Sequence, residues 1–223
     1  MSESATCRKS TIIATIFIAF VYLIFVPLVY AATEYKMTDC WSFKEGAWWE
    51  FNDGKIEITG TEEIDGISTF KFLDTSSCSG EDAEEINVVN DDANGFVFFL
   101  PSEDGSYSIA NISDPYVKKG DKTTSSFKDS DGEQVTLVFK LDGTANVVLP
   151  AGKFKRCLRF SVKVEVVDTD GNDSYTEKFY LAKGVGLVKV VRVKQSTDEA
   201  GCAFGPESFD VFNGIRELEN YSN

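Results

Sequence analysis

Beyond residue 45 the chain alternates between short apolar runs and turn signals. "GAWWEF" (46–51), "KIEIT" (55–59) and "ISTFKFL" (67–73) are rich in Trp, Phe, Ile and Thr, and "NDG" and "IDG" separate them. The same grammar continues through "SYSIANI" (106–112), "QVTLVFKL" (134–141), "GTANVVL" (143–149), "FKRCLRFSVKVEVV" (154–167), "SYTEKFYLA" (174–182) and "GLVKVVRV" (186–193). Runs of this composition, broken by Asp-Gly and Pro-Ala-Gly, read as strands in an antiparallel meander. The period is two: Phe160, Val162, Val164 and Val166 fall on one face, Arg159, Ser161, Lys163 and Glu165 on the other. "GFVFFL" (95–100) has no polar face and is predicted to be buried on both sides. The acidic stretch 78–95 reads as a loop or a solvated edge. Helical spacing occurs in the tail, where Phe209, Phe212, Ile215 and Leu218 predict a short C-terminal helix near 207–219. The expectation is an all-β domain, a single antiparallel meander forming a half-barrel or an open barrel or sandwich.

The N-terminus has a different pattern. Arg8 and Lys9 precede an uncharged stretch from Thr11 to Tyr30, and Val29 and Ala31 are the small residues of a cleavage site. Residues 1–31 are therefore predicted to be a helical signal peptide, and 32–223 a single exported domain. The uncharged run nears the ~20 residues that span a bilayer, so an uncleaved anchor is the alternative, and the membrane is a partner only through it. Cys7 precedes the apolar run, which argues against lipidation. The full chain of 223 residues carries 22 basic and 36 acidic residues, a net charge of −14. Removing Glu3, Arg8 and Lys9 leaves 20 against 35, or −15. So acidic a surface argues against nucleic acid and anionic headgroups as partners.

Candidate chemistry is sparse. The sequence contains no histidine, which excludes Ser-His-Asp and Cys-His catalysis. Cys40, Cys78, Cys157 and Cys202 follow the signal, an even number in an oxidising compartment, and predict two disulfides of undetermined connectivity. Asp168, Asp170 and Asn172 in "DTDGND" resemble the start of a calcium loop, but Phe179 stands where the twelfth-position glutamate belongs. An Asp-Gly hairpin turn is the simpler reading. The carboxylates lie mostly in turns. Glu50 and Glu57 fit the outward face of a strand, so a carboxylate-dependent hydrolase is a weaker alternative. No motif calls for a cofactor. Trp48 and Trp49 are adjacent, so in a strand one of them must face away from the core. Trp48, Trp49, Phe96, Phe98, Phe99 and Tyr180 are the candidate lining of a binding surface.

"LPAGKFKRCLRFSVKVE" followed by "YTEKFYLAKGVGLVKV" resembles the C-terminal half of a group of exported bacterial proteins of unknown function, similar to the TapB-like domain family. The likeness is specific over Leu149 to Val190, with Lys183 where proline is common. It implies an antiparallel β half-barrel placed in the bacterial periplasm or envelope, and it brings no catalytic residues. Both motifs are predicted to form neighbouring strands joined through the 168–173 turn. The function expected is a non-enzymatic envelope protein whose concave face takes a lipid, another apolar ligand or an envelope protein. The alternative is a membrane-anchored structural or assembly protein without a small ligand.

Overall fold

A computed structural model describes residues 32–41, 43–75, 84–101, 105–128, 133–167, 172–195 and 215–222. Residues 33–223 form one compact unit. The predicted signal helix lies outside the described residues. The described residues of the 33–223 unit are built almost wholly of strands. In order they are β1 (Glu34–Lys36), a single helical turn α1 (Met37–Cys40), β2 (Trp48–Phe51), β3 (Gly54–Ile64), β4 (Ile67–Asp74), β5 (Glu84–Asp91) and β6 (Gly95–Pro101). There follow β7 (Tyr107–Ser113), β8 (Tyr116–Lys118), β9 (Lys122–Lys128), β10 (Gln134–Leu149), β11 (Gly152–Val167), β12 (Asn172–Ala182), β13 (Gly186–Gln195) and β14 (Ile215–Ser222).

Twelve strands form one antiparallel sheet in the order β7-β6-β5-β4-β3-β2-β14-β13-β12-β11-β10-β9. Two meanders run outward from β14, the C-terminal strand, which fills the slot between β2 and β13. The sheet curls into a nearly closed half-barrel, as the alternation predicts. Its free edges, β7 and β9, meet without a hydrogen-bonded ladder. Side chains bridge them: Ser108 Oγ donates to Lys128 O at 3.0 Å, and Ser125 Oγ donates to Asn111 O at 2.9 Å. Between these edges the chain leaves the sheet, and β8 pairs with β1 as a separate ribbon.

The period-two pattern decides which side chains enter the interior. Val135, Leu137, Phe139 and Leu141 on β10 are buried, as are Phe160, Val162 and Val164 on β11. The outward positions carry charge, with Lys163 bonded to Glu165 and Lys71 to Glu85. β6 is buried on both faces, as its unbroken apolar run predicts: Phe96 and Leu100 join the main core, Val97 and Phe99 a second cluster with Ile64 and Val89. The "IDG" turn closes β3 onto β4 through Asp65 and Gly66, both at positive φ, the conformation a tight hairpin needs. The 168–173 segment joins β11 to β12 in register, with Val167 opposite Asn172. The two motifs of the sequence resemblance thus lie side by side.

Four expectations are corrected. The acidic stretch 78–95 contains β5, a central strand; Ile86, Val88 and Val89 are buried, and neighbours on both edges outweigh its charged ends. The tail over 215–219 is strand, not helix, because the slot between β2 and β13 demands a partner. Arg216 and Leu218 point in at period two, and residues 207–214 lie outside the described residues. Cys40 and Cys157 are free thiols, each packed in the apolar core, so the two-disulfide framework is not supported for them. Cys78 and Cys202 lie outside the described residues. Finally, the runs 134–141 and 143–149 are one strand, β10, in which Asp142-Gly143 makes a bulge and not a turn, and β11 opposite it bulges too. Arg156 takes φ 55°, its N–H is held by Asn146 Oδ1 at 2.9 Å, and the register shifts across this bulge. Cys157 and Leu158 are therefore both buried.

The Pro-Ala-Gly turn is a sheet corner. Leu149 pairs with Gly152, whose φ of 137° is open to glycine alone among the common residues. The N–H of Ala151 reaches Leu218 O at 3.2 Å, tying the hairpin tip to β14.

Candidate functional site: an apolar interior cavity

Inside the curl lies a cavity of about 70 Å³. A smaller void of about 20 Å³ adjoins it and shares Trp41, Ile86 and Phe98. The strand period builds the wall. Phe96, Phe98 and Leu100 enter from β6, and Glu177, Phe179 and Leu181 from β12, each at every second position. Ile112 of β7 and Phe127 of β9 bring the wall up to both sides of the open seam.

β5, β10, β11 and β13 add Ile86, Leu137, Phe139, Phe160 and Leu187 among others, and Met37 and Trp41 contribute the part of the wall that lies outside the sheet. They belong to α1 and the residue after it. This turn is slung between two anchors: Met37 N–H donates to Pro115 O on the link out of β7, and Gly184 N–H, in the turn joining β12 and β13, donates to Asp39 O, both at 2.9 Å. Asn90 Nδ2 holds Trp41 O at 2.7 Å. The indole is wedged edge-on against Phe43, Trp49 and Phe72, with ring centroids 5.5 to 5.7 Å away. Its pyrrole ring lies flush on Gly186, where a Cβ would come within 2.2 Å of Trp41 Cδ1.

Of the predicted lining residues, Phe96 and Phe98 reach the cavity. Trp49 points inward but is packed solid, with its Nε1–H donated to Val185 O at 2.6 Å. Trp48 faces out, and Lys55 Nζ stands 5.5 Å from its ring centre. Phe99 belongs to the second cluster on the opposite face of β6. Tyr180 is partly buried next to Phe179, on the other face of β12. The physical reason is parity: neighbouring residues in a strand cannot share a face, so Phe98 and Phe99 part company. Glu50 and Glu57 stay on the outward side, and Glu57 is bonded to Lys55. Asp168 and Asp170 lie outside the described residues, and Asn172 takes a ladder position. Among the described residues no group of three or more acidic or cysteine side chains converges as a metal site.

Two features escaped the sequence reading. Glu177 is 2% exposed and lines the cavity. Its signal was present, since Glu177 shares parity with Phe179 and Leu181 in "YTEKFYLA". In the ladder it stands opposite Arg192. Trp41 is 4% exposed, and its Nε1–H has no hydrogen-bond partner among the described residues. Nothing local marks it, because no strand period runs through "DCWSF".

The volume sets what this interior can hold at rest. A cavity of about 150 Å³ takes one benzene, so ~70 Å³ takes about three carbon atoms. Sites for larger ligands usually enclose about 300–1,000 Å³. The closed form therefore seats a small group or a chain end, and anything larger needs the curl to widen.

No family model and no curated protein matches the chain. Two solved structures resemble it. A proposed lipoprotein from Parabacteroides distasonis ATCC 8503 is 15% identical, with 80% of this chain and 96% of that one covered and a TM-score of 0.47. A proposed exported protein with a YmcC-like fold from Bacteroides fragilis NCTC 9343 is 13% identical, covering 81% and 97%, with a TM-score of 0.46. No assignment of function rests on either likeness.

Proposed function

We propose that this is a non-enzymatic, exported envelope protein that binds an apolar ligand inside its curled sheet. The observation that carries the reading is the cavity: an interior walled by aromatic and aliphatic side chains, bordered by a seam with no ladder. Burial of a ligand's apolar surface there gains about 25 cal/mol per Å². Each strand pair elsewhere is a ladder, whereas β7 and β9 are joined by serine-to-carbonyl bonds. Widening at the seam breaks the fewest backbone bonds, so a ligand larger than the resting void enters there. The N-terminal basic, apolar and small-residue sequence supports export.

The test is native mass spectrometry of the purified full-length protein, with solvent extraction and analysis of what is released. The expected result is a bound apolar species and saturable uptake of Nile red. A protein that carries nothing and takes up no dye overturns the reading.

A further inference from the structure

Charge is not spread evenly over the chain. It carries 36 acidic residues in 223, yet none falls between Gly143 and Val164, where Lys153, Lys155, Arg156, Arg159 and Lys163 lie. This stretch is the far half of the β10–β11 hairpin. β9 pairs with β10 only over Gln134–Lys140, and β12 pairs with β11 only over Leu158–Val167. Residues 143–157 therefore extend past both neighbours as a two-stranded ribbon. One side of the ribbon rests on β14. There Ala151 N–H reaches Leu218 O at 3.2 Å, and Phe154 meets Tyr221 with ring centroids 6.3 Å apart.

The other side is open. Val148 and Lys153 are cross-strand partners and share it, and Lys155 follows at period two. Val148 is 72% exposed, the most of any large apolar side chain among the described residues. Pro150, at the tip, is exposed as well. The bulge at Arg156 lets the consecutive Lys155 and Arg156 both stand in solvent. Lys163 is bonded to Glu165 and Arg159 faces Asp142, whereas Lys153, Lys155 and Arg156 have no ion-pair partner among the described residues. We propose that this ribbon docks on an anionic phospholipid bilayer. Lys153, Lys155 and Arg156 meet the headgroup phosphates, and Val148 and Pro150 enter the apolar boundary beneath them. A soluble acidic polymer would engage the cations and leave Val148 in water. The net charge of −14 argues against anionic headgroups for the chain as a whole. At physiological ionic strength, however, charges more than about 8 Å away are largely screened, so the ribbon acts through its own cations. The proposal does not rest on the reading of the cavity.

The test mixes the full-length protein with vesicles of phosphatidylcholine alone, or of an equal mixture with phosphatidylglycerol. Amide hydrogen exchange is followed over 144–156, a local readout that reports the ribbon and not the N-terminal apolar segment. The expected result is exchange at least about fivefold slower on the mixed vesicles, the effect of one cation near an anionic surface, and no slowing on phosphatidylcholine. The difference should vanish in about 1 M NaCl, where the Debye length is ~3 Å. It should also vanish in the triple variant Lys153→Gln, Lys155→Gln, Arg156→Gln, with an unchanged melting temperature. The salt response of the wild type tests the proposal by itself should that variant fold poorly. Equal slowing on both vesicles, slowing that survives in the triple variant, or no slowing on either overturns the proposal. So does soluble polyglutamate protecting the ribbon as well as the mixed vesicles do, because it offers charge without an apolar layer.

Discussion

Arg216 is 2% exposed and carries its charge inside the sheet. Nη1 and Nη2 form a two-pronged contact with Asp74 at 3.1 and 3.2 Å, Nε reaches Asp53 at 2.9 Å, and the guanidinium lies 4.6 Å over Phe51. Burial raises the Asp53 pKa by more than the attraction of Arg216 lowers it. Arg216→Ala removes the buried cation that contacts both Asp53 and Asp74 and is expected to cost about 3–5 kcal/mol in urea unfolding. A loss below about 1 kcal/mol would show the pair to be solvated. Gly186→Ala meets both a φ of 95° and the Trp41 ring, and should destabilise by about 2–5 kcal/mol. Cys40 gives a pH dependence. Burial, with help from Asp39, pushes its thiol from 9.0 to about 11. The folded state therefore holds the proton more tightly than the unfolded one. That contribution is complete below pH 9 and is lost as pH rises from about 9 to 11, by about 2–3 kcal/mol. Comparing wild type with Cys40→Ala across that range isolates it from lysine and tyrosine titration. Identical slopes for the two proteins would remove the claim. Burial also raises the Cys157 pKa, and native Cys40 and Cys157 should resist thiol reagents until the protein unfolds.

At the scale of elements, the seam and the α1 turn set the interior. Long ladders hold β10 to β11 and β11 to β12, whereas β7 and β9 meet through Ser108 and Ser125. Amide hydrogen exchange should therefore be fastest along the facing edges of β7 and β9 and slowest in β11. Ser108→Ala with Ser125→Ala should speed exchange at the seam and lower stability by about 1 kcal/mol per bond. Protection at the seam equal to that of β11 would deny it the role of an opening. Strand identity was partly readable here: alternation around Phe160–Val166 and the Pro-Ala-Gly corner mark β10 and β11 directly, whereas Asp142-Gly143, read as a break between strands, is a bulge inside β10. β5 was misread because "EDAEEINVVNDD" weighs charge against a short apolar centre, and the sheet settles the balance by supplying partners on both sides. β1, β8 and α1 carry no period long enough to register, yet they place Trp41.

At the scale of the molecule the core is mostly apolar, with Arg216, Asp74 and Glu177 as buried charged residues. The net charge of the chain is −14, and ion pairs such as Lys71–Glu85 and Lys118–Glu34 lie on the exterior. Self-repulsion of this size should make the melting temperature rise as NaCl goes from about 10 to 150 mM, since the Debye length shortens from ~30 to ~8 Å. A melting temperature that falls would mean that attractive surface pairs dominate instead.

The sequence by itself determined the all-β class, the inward face of strands such as β11, the Asp65-Gly66 and Pro-Ala-Gly corners and the acidic composition. Those properties are local: period two, turn chemistry and composition act within a few residues. The tertiary structure decided what is set by partners distant in the chain. It put β14 between β2 and β13, left β7 and β9 unladdered, and buried Arg216 against Asp53 and Asp74. It kept Cys40 and Cys157 as separate thiols, and it brought Trp41 and Glu177 into the wall of one cavity. Each of these depends on which segments meet when the sheet curls, and no window of the sequence contains that information.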